Sequence, residues 1–146
     1  MIVEKTILVG QAPGRRGDST EPLQGRIGEK LTALFGLNER QYLRQFDRIN
    51  VLDLWPGKSG KGDRFPVREA RRAAAEKSAA ISGRRVLFIG IATAFAFGFK
   101  RAPLRWQRFN GGNAAILPHP SGVNRWHNDA KNRRKAARFL RAALQI

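Results

Sequence analysis

Four short apolar, β-prone runs, Thr6–Val9, Ile49–Leu54, Val86–Ile89 and Ala114–Leu117, alternate with segments of helical periodicity. Strands that alternate with helices through short connections argue a parallel sheet covered on both faces. The expected fold is therefore α/β: a compact three-layer α/β/α sandwich around a four-stranded, mostly parallel sheet. A length of 146 residues suits one domain, 1–146, able to bury its own core. The sequence has no internal repeat and no linker long enough to divide it.

The helical segments have their own punctuation. Ile27, Leu31, Leu34 and Phe35 recur at helical spacing, and Gly36 stops that helix. Asn38 is a good N-cap for a second short helix to about Phe46. Pro66 can occupy the first turn of a long Ala/Arg-rich helix to about Ile81, and Ala92–Phe97 reads as a short apolar helix. Asn124 is the expected N-cap of a basic amphipathic helix to about Ala143. The Gly57–Asp63 segment, with three glycines and two lysines, is expected to be mobile. In parallel sheets the functional loops lie at the carboxyl ends of strands. The loops at Gly10, Trp55 and His119 all begin there, so they can converge on one cleft.

Charge narrows the partners. With 28 Lys+Arg against 11 Asp+Glu, the formal net charge is +17. That much positive charge needs a counter-charge, most commonly a phosphate backbone, although a membrane surface or a ribosome would also serve. The absence of cysteine excludes disulfides, iron–sulfur clusters and thiolate zinc sites. No apolar run approaches ~18 residues and the N-terminal residues do not read as a signal peptide, so a soluble, cytoplasmic protein, bacterial or phage-encoded, is expected.

Two segments carry candidate chemistry: Gly10-Gln11-Ala12-Pro13-Gly14 after the first strand, and His119-Pro120-Ser121-Gly122-Val123-Asn124-Arg125 after the last. His119 is either a satisfied histidine at a strand end or a reactive one beside a Pro-Ser-Gly turn. The N–H groups of such a turn, followed by a helix N-terminus, can face an anion. Asn50 lies in a β-prone run, where an inward polar side chain needs a partner. It either bonds backbone at a sheet edge or reads a ligand.

Together the two segments resemble the active-site motifs of the uracil-DNA glycosylase superfamily, enzymes that flip a damaged base from DNA and cut its glycosidic bond. The resemblance implies that His119 stabilises the charge developing on the leaving base, and that Asn50 reads the pyrimidine edge, with Gln11, Gly14 and Leu23 also facing the base. It places Gly10, Ala12, Pro13, Ser121, Gly122, Val123, Asn124 and Arg125 against the DNA. Val123 stands where the family inserts an apolar wedge, with Arg125 beside it; as an alternative, Val123 is a helix staple.

The chain also departs from the family. The main uracil-specific branch has Asp at the position of Ala12 and Tyr at Gly14; the open Gly14 position does not bar 5-substituted pyrimidines, although glycine there also serves a backbone need. The first motif and the segment Pro22-Leu23-Gln24-Gly25 resemble the thermophile-type branch, with Leu23 in place of a stacking Phe and without that branch's cluster. Asp18 matches an acidic position of that branch, where it either orients water or caps a turn. The basic run Arg125, Lys131, Arg133, Arg134, Lys135, Arg138 and Arg141 is either a solvated face or a DNA-backbone surface. Trp106 and Trp126 either stack on unpaired bases or pack in the core.

The function expected is a monofunctional glycosylase that uses water to hydrolyse the bond to uracil or a related pyrimidine, leaving an abasic site. Its partner is uracil-containing DNA, single- or double-stranded; it needs no metal or cofactor and acts as a monomer. The alternatives are a non-catalytic DNA-binding module on the same fold, or a glycosylase for a modified base.

Overall fold

The computed structural model describes residues 5–15, 21–60, 62–120 and 125–144. In chain order its elements are β1 (Thr6–Gly10), α1 (Gly25–Phe35), α2 (Glu39–Gln45), β2 (Phe46–Asn50), β3 (Lys58–Ser59), β4 (Gly62–Asp63), α3 (Val67–Ile81), β5 (Arg85–Ile89), α4 (Ile91–Ala96), β6 (Gln107–Phe109), β7 (Gly112–Leu117) and α5 (Ala130–Leu144). A 3-10 turn at Arg125–Asn128 precedes α5.

The central sheet runs β2-β1-β5-β7-β6; the first four strands are parallel and β6 is antiparallel to β7. Alternate residues of each strand face opposite layers. Leu8, Phe46, Leu87, Ile89, Ala115 and Leu117 pack with Leu31, Phe35, Tyr42, Ala136 and Leu140 of α1, α2 and α5. Ile7, Val9, Val86, Phe88, Ala114 and Ile116 pack with Ile81, Ala94 and Phe99 on the side of α3 and α4. The molecule is thus a mixed α/β fold with helices on both faces of a mostly parallel sheet.

The sheet has five strands where the sequence analysis expected four. The extra edge strand, β6, pairs with β7 through a two-residue turn: Phe109 faces Gly112 across Asn110 (φ 51°) and Gly111 (φ 78°). Two successive positive φ values are the signature of the tight hairpin turn that Asn-Gly favours. Asn110-Gly111 is thus the sequence signal for the fifth strand. The turn rests on the α3–β5 loop, where Gly83 N–H donates to Asn110 O at 2.8 Å. A Cβ at Gly112 would overlap the backbone of Arg84, which has no freedom to yield. Gly112→Ala is therefore expected to cost about 1–3 kcal/mol, read as a lowered denaturation midpoint.

β2 also departs from expectation, occupying Phe46–Asn50 in place of 49–54. It is an edge strand, so Asp47 and Arg48 are tolerated there with partners of their own. Arg84 meets the Asp47 carboxylate at 2.5 Å, while Arg48 donates to Pro22 O at 3.1 Å and lies over the Tyr42 ring. Beyond Asn50 the chain leaves the ladder but stays tied to the first loop: Val51 N–H donates to Gly10 O and Leu52 N–H to Gln11 O, both at 2.9 Å. The Gly57–Asp63 segment, expected as a mobile loop, contains the short β3–β4 ladder. The last helix begins at Ala130, where Asp129 accepts from Lys131 N–H at 2.8 Å. The cap expected at Asn124 lies outside the described residues.

Candidate active site

The strand order puts a topological switch between β1 and β5, and ligands of open α/β sheets bind beyond the carboxyl ends of the strands at such a switch. A cavity of about 250 Å³ lies there, lined by Gln11, Ala12, Pro13, Gly14, Glu21, Leu23, Gln24, Gly25, Ile27, Asn50 and His119. Seven of these residues, Gln11 to Gly14 with Leu23, Asn50 and His119, are candidate site residues from four separate segments of the sequence. The volume is below the ~300–1,000 Å³ of sites for drug-sized ligands, so it suits a single small ring.

Asn50 is the last residue of β2, paired with Gly10 of β1. Lys77 of α3 anchors this strand end, donating to the carbonyls of Asn50 at 2.8 Å and Val51 at 3.1 Å and pairing with Asp53 at 2.7 Å. The Asn50 side chain is buried, yet among the described residues its amide has no hydrogen-bond partner. It does not bond backbone as an edge asparagine would. What is exposed of this residue lies on the cavity wall, where the amide is open to a ligand or to water.

Gly10 makes the arrangement sterically possible. A Cβ there would come 2.6 Å from both Asn50 Oδ1 and Leu23 Cδ2. Both are ends of flexible side chains, so Gly10→Ala is expected to cost only about 1 kcal/mol of stability while driving the amide from its place. Thermal melts beside ligand-binding assays check that separation.

Leu23 is held with φ 58°, a left-handed conformation that a branched residue adopts only under constraint. The constraint is visible: Tyr42 OH donates to Leu23 O at 2.8 Å, and Arg48 fixes the preceding carbonyl. Burial pushes the Tyr42 hydroxyl pKa well up, so it stays protonated as a donor.

His119 follows β7 through Pro118 and leans across the end of β5, where Gly90 N–H donates to Leu117 O at 2.8 Å. Gly90 has φ 106°, and a Cβ on it would lie 3.4 Å from His119 Cβ. The glycine thus meets a backbone requirement and gives the imidazole a flat seat. Burial, then the neighbouring His127 and Lys30, lower the His119 pKa to about 4, against a smaller opposing pull from Asp63. The ring is therefore neutral at physiological pH, able to donate one N–H and accept at the other nitrogen.

His127, buried in the 3-10 turn, lies with Nε2 2.6 Å from Pro118 O. A carbonyl only accepts, so this nitrogen carries the proton. The bond ties the α5 side of the molecule to the residue preceding His119. Burial, Lys30 and Arg133 lower the His127 pKa, against the raising effect of the Pro118 bond.

Of the remaining expected residues, Asp18, Ser121, Gly122, Val123 and Asn124 lie outside the described residues. Arg125 is exposed at the start of the 3-10 turn. Trp106 packs against Phe139 with ring centroids 6.1 Å apart, and Trp126 meets the edge of His127 at 4.8 Å. Both indoles are partly buried against the core. Glu21 was not anticipated, yet it is the one carboxylate lining the cavity among the described residues. Gly90 had a signal, a glycine closing an apolar strand; His127 and Lys77 had none, because their partners lie far away in the chain. The described residues hold no group of three or more His, Cys, Asp or Glu side chains able to bind a metal, and no helix long and apolar enough to cross a membrane. Compared with known proteins, the chain matches no family model and shows no significant match to a curated relative.

Proposed function

We propose that the protein is a DNA glycosylase with a uracil-DNA glycosylase-like fold, acting on uracil or a related pyrimidine extruded from DNA. The observation that carries this reading is one small cavity lined both by the Asn50 amide, which has no hydrogen-bond partner among the described residues, and by a neutral imidazole, His119. An Asn amide offers a donor and an acceptor side by side, the complement of the O4 and N3–H edge of uracil. Fixed in this way, the base presents its O2 to a donor on the far side, where charge collects as the glycosidic bond breaks.

In the proposed reaction the bond from C1′ to N1 breaks with its electron pair leaving on the base, and water oxygen bonds C1′. The His119 N–H stabilises the pyrimidine anion, which later takes a proton from solvent. A carboxylate receives the proton lost by water. Ala12 has none to offer, and Glu21 lines the cavity where it can serve; Asp18 is the other candidate. The net change is hydrolysis, with no cofactor in the balance.

The test is an end-labelled oligonucleotide with one uracil, single- and double-stranded, treated with alkali after incubation. A strand break that disappears with His119→Ala supports the reading. No break, with tight retention of the same DNA, identifies a binding module instead.

A modified-base substrate also has an observation in its favour. Gly14 does not adopt a left-handed φ, and nothing lies within 4 Å of where its Cβ would stand. The backbone does not demand glycine there; the space is open beside the base site. Gly14→Tyr is expected to keep uracil excision within about threefold while cutting any excision of 5-methyl pyrimidines at least about tenfold, since a clash of one methyl is worth ~1–3 kcal/mol. Competition between paired oligonucleotides measures the ratio.

A further inference from the structure

On the α1–α5 face lies a larger groove of about 570 Å³, outside the base cavity. Its cations come from both helices: Lys30 from α1, and Arg133, Arg134 and Arg141 from α5. No Asp or Glu lines it, whereas elsewhere Lys77 and Arg84 face carboxylates. Between the cations the surface is small and apolar, with Ala33, Ala130 and Ala137. Pro120 and His127 also line it, and Pro120 is the chain neighbour of His119, which lines the base cavity.

We propose that this groove carries the phosphodiester backbone of single-stranded DNA leading away from the extruded nucleotide, making an unpaired strand the preferred form of the substrate. The groove lies over the seam where α1 packs on α5, with cations on either side of it. Cations on both walls neutralise phosphates on either side of a strand, and the alanine floor accepts sugars and base edges without a polar cost. The groove's continuity with Pro120 favours a strand already held at His119 over a separate acidic peptide. The assignment rests on the proposed action on DNA for the origin of the strand, but its test does not require excision.

The test measures binding of undamaged fluorescent oligothymidylate and of a matched duplex by anisotropy across a salt series. Lys30→Glu/Arg134→Glu changes one cation on each wall; Lys135→Glu/Arg138→Glu makes the same charge change on α5 away from the groove. The groove pair is expected to lose at least about tenfold in single-strand affinity, with the salt slope reduced by about 1.4 for two lost phosphate contacts. The control pair and the duplex should change by less than about threefold.

Equal losses for both pairs would show a diffuse charge effect and overturn the proposal, as would equal losses on single strand and duplex. Displacement of oligoglutamate but not oligothymidylate by the groove substitutions would assign the groove to an acidic protein partner and overturn it as well. If the charge reversals impair folding, Lys30→Gln/Arg134→Gln repeats the comparison with a smaller expected loss. A groove that binds as expected in a protein that never excises uracil leaves this inference standing and removes the glycosylase; excision with unaltered groove variants does the reverse.

Discussion

Replacing His119 with alanine is expected to lower uracil excision by about 10²–10³-fold, the usual effect of deleting one donor aimed at a developing oxyanion, or ~2.7–4 kcal/mol. Binding of uracil-containing DNA should change far less, because the donor acts most strongly once the bond has begun to break. Single-turnover excision beside a gel shift separates the two effects. A matched fall in both would make His119 a binding group and remove its catalytic role.

The same residue sets a pH dependence whose sign can be worked out. In the unfolded chain His119 titrates near 6.5, and in the fold near 4. Between those values the unfolded chain binds more protons, so the fold is penalised as pH falls. Stability present above pH 6.5 is lost progressively toward pH 4, by at most about 3 kcal/mol for this group. The pKa of His127 is displaced in the same direction and adds to the slope. Thermal melts across this range should show a midpoint that falls with acidity, and a shallower fall in His119→Ala. Excision that depends on the neutral ring should persist as pH falls toward 4 so far as this group is concerned, since the imidazole is uncharged there. A loss centred near 6.5 would mean that the ring is solvated when DNA is bound.

The parallel strands were legible because each is a compact apolar run: Val86–Ile89 falls within β5 and Ala114–Leu117 within β7. β2 was harder, since an edge strand carries Asp47 and Arg48, whose partners Arg84 and Pro22 lie far off in the sequence. The convergence of Gln11–Gly14 and His119 with Asn50 on one cavity was legible because strand ends in a parallel sheet share one edge, but the Trp55 loop, expected at the same cleft, does not line it. What escaped was pairwise and non-local. No pattern announces that Lys77 anchors the end of β2 or that His127 donates to Pro118. The groove between α1 and α5 was half visible, because the basic run of α5 is plain while Lys30, alone on α1, becomes part of it only when the helices pack.

Asn50→Ala is expected to lower uracil excision by about 10- to 100-fold, since a good bidentate pair to a base edge contributes ~1–3 kcal/mol. Asn50→Asp should be worse on uracil: a carboxylate only accepts, so it repels O4 while still accepting from N3–H. The same carboxylate complements the amino group of cytosine, so Asn50→Asp should shift the ratio of cytosine to uracil excision upward. Stability separates this reading from a structural one. The Asn50 amide lines the cavity and makes no hydrogen bond to the described residues, so alanine breaks no internal hydrogen bond and should leave the melting temperature nearly unchanged. A structural asparagine would behave in the opposite way, with melting temperature and activity falling together. Reduced excision in a protein as stable as the parent would show that the amide is kept for the ligand and not for the fold.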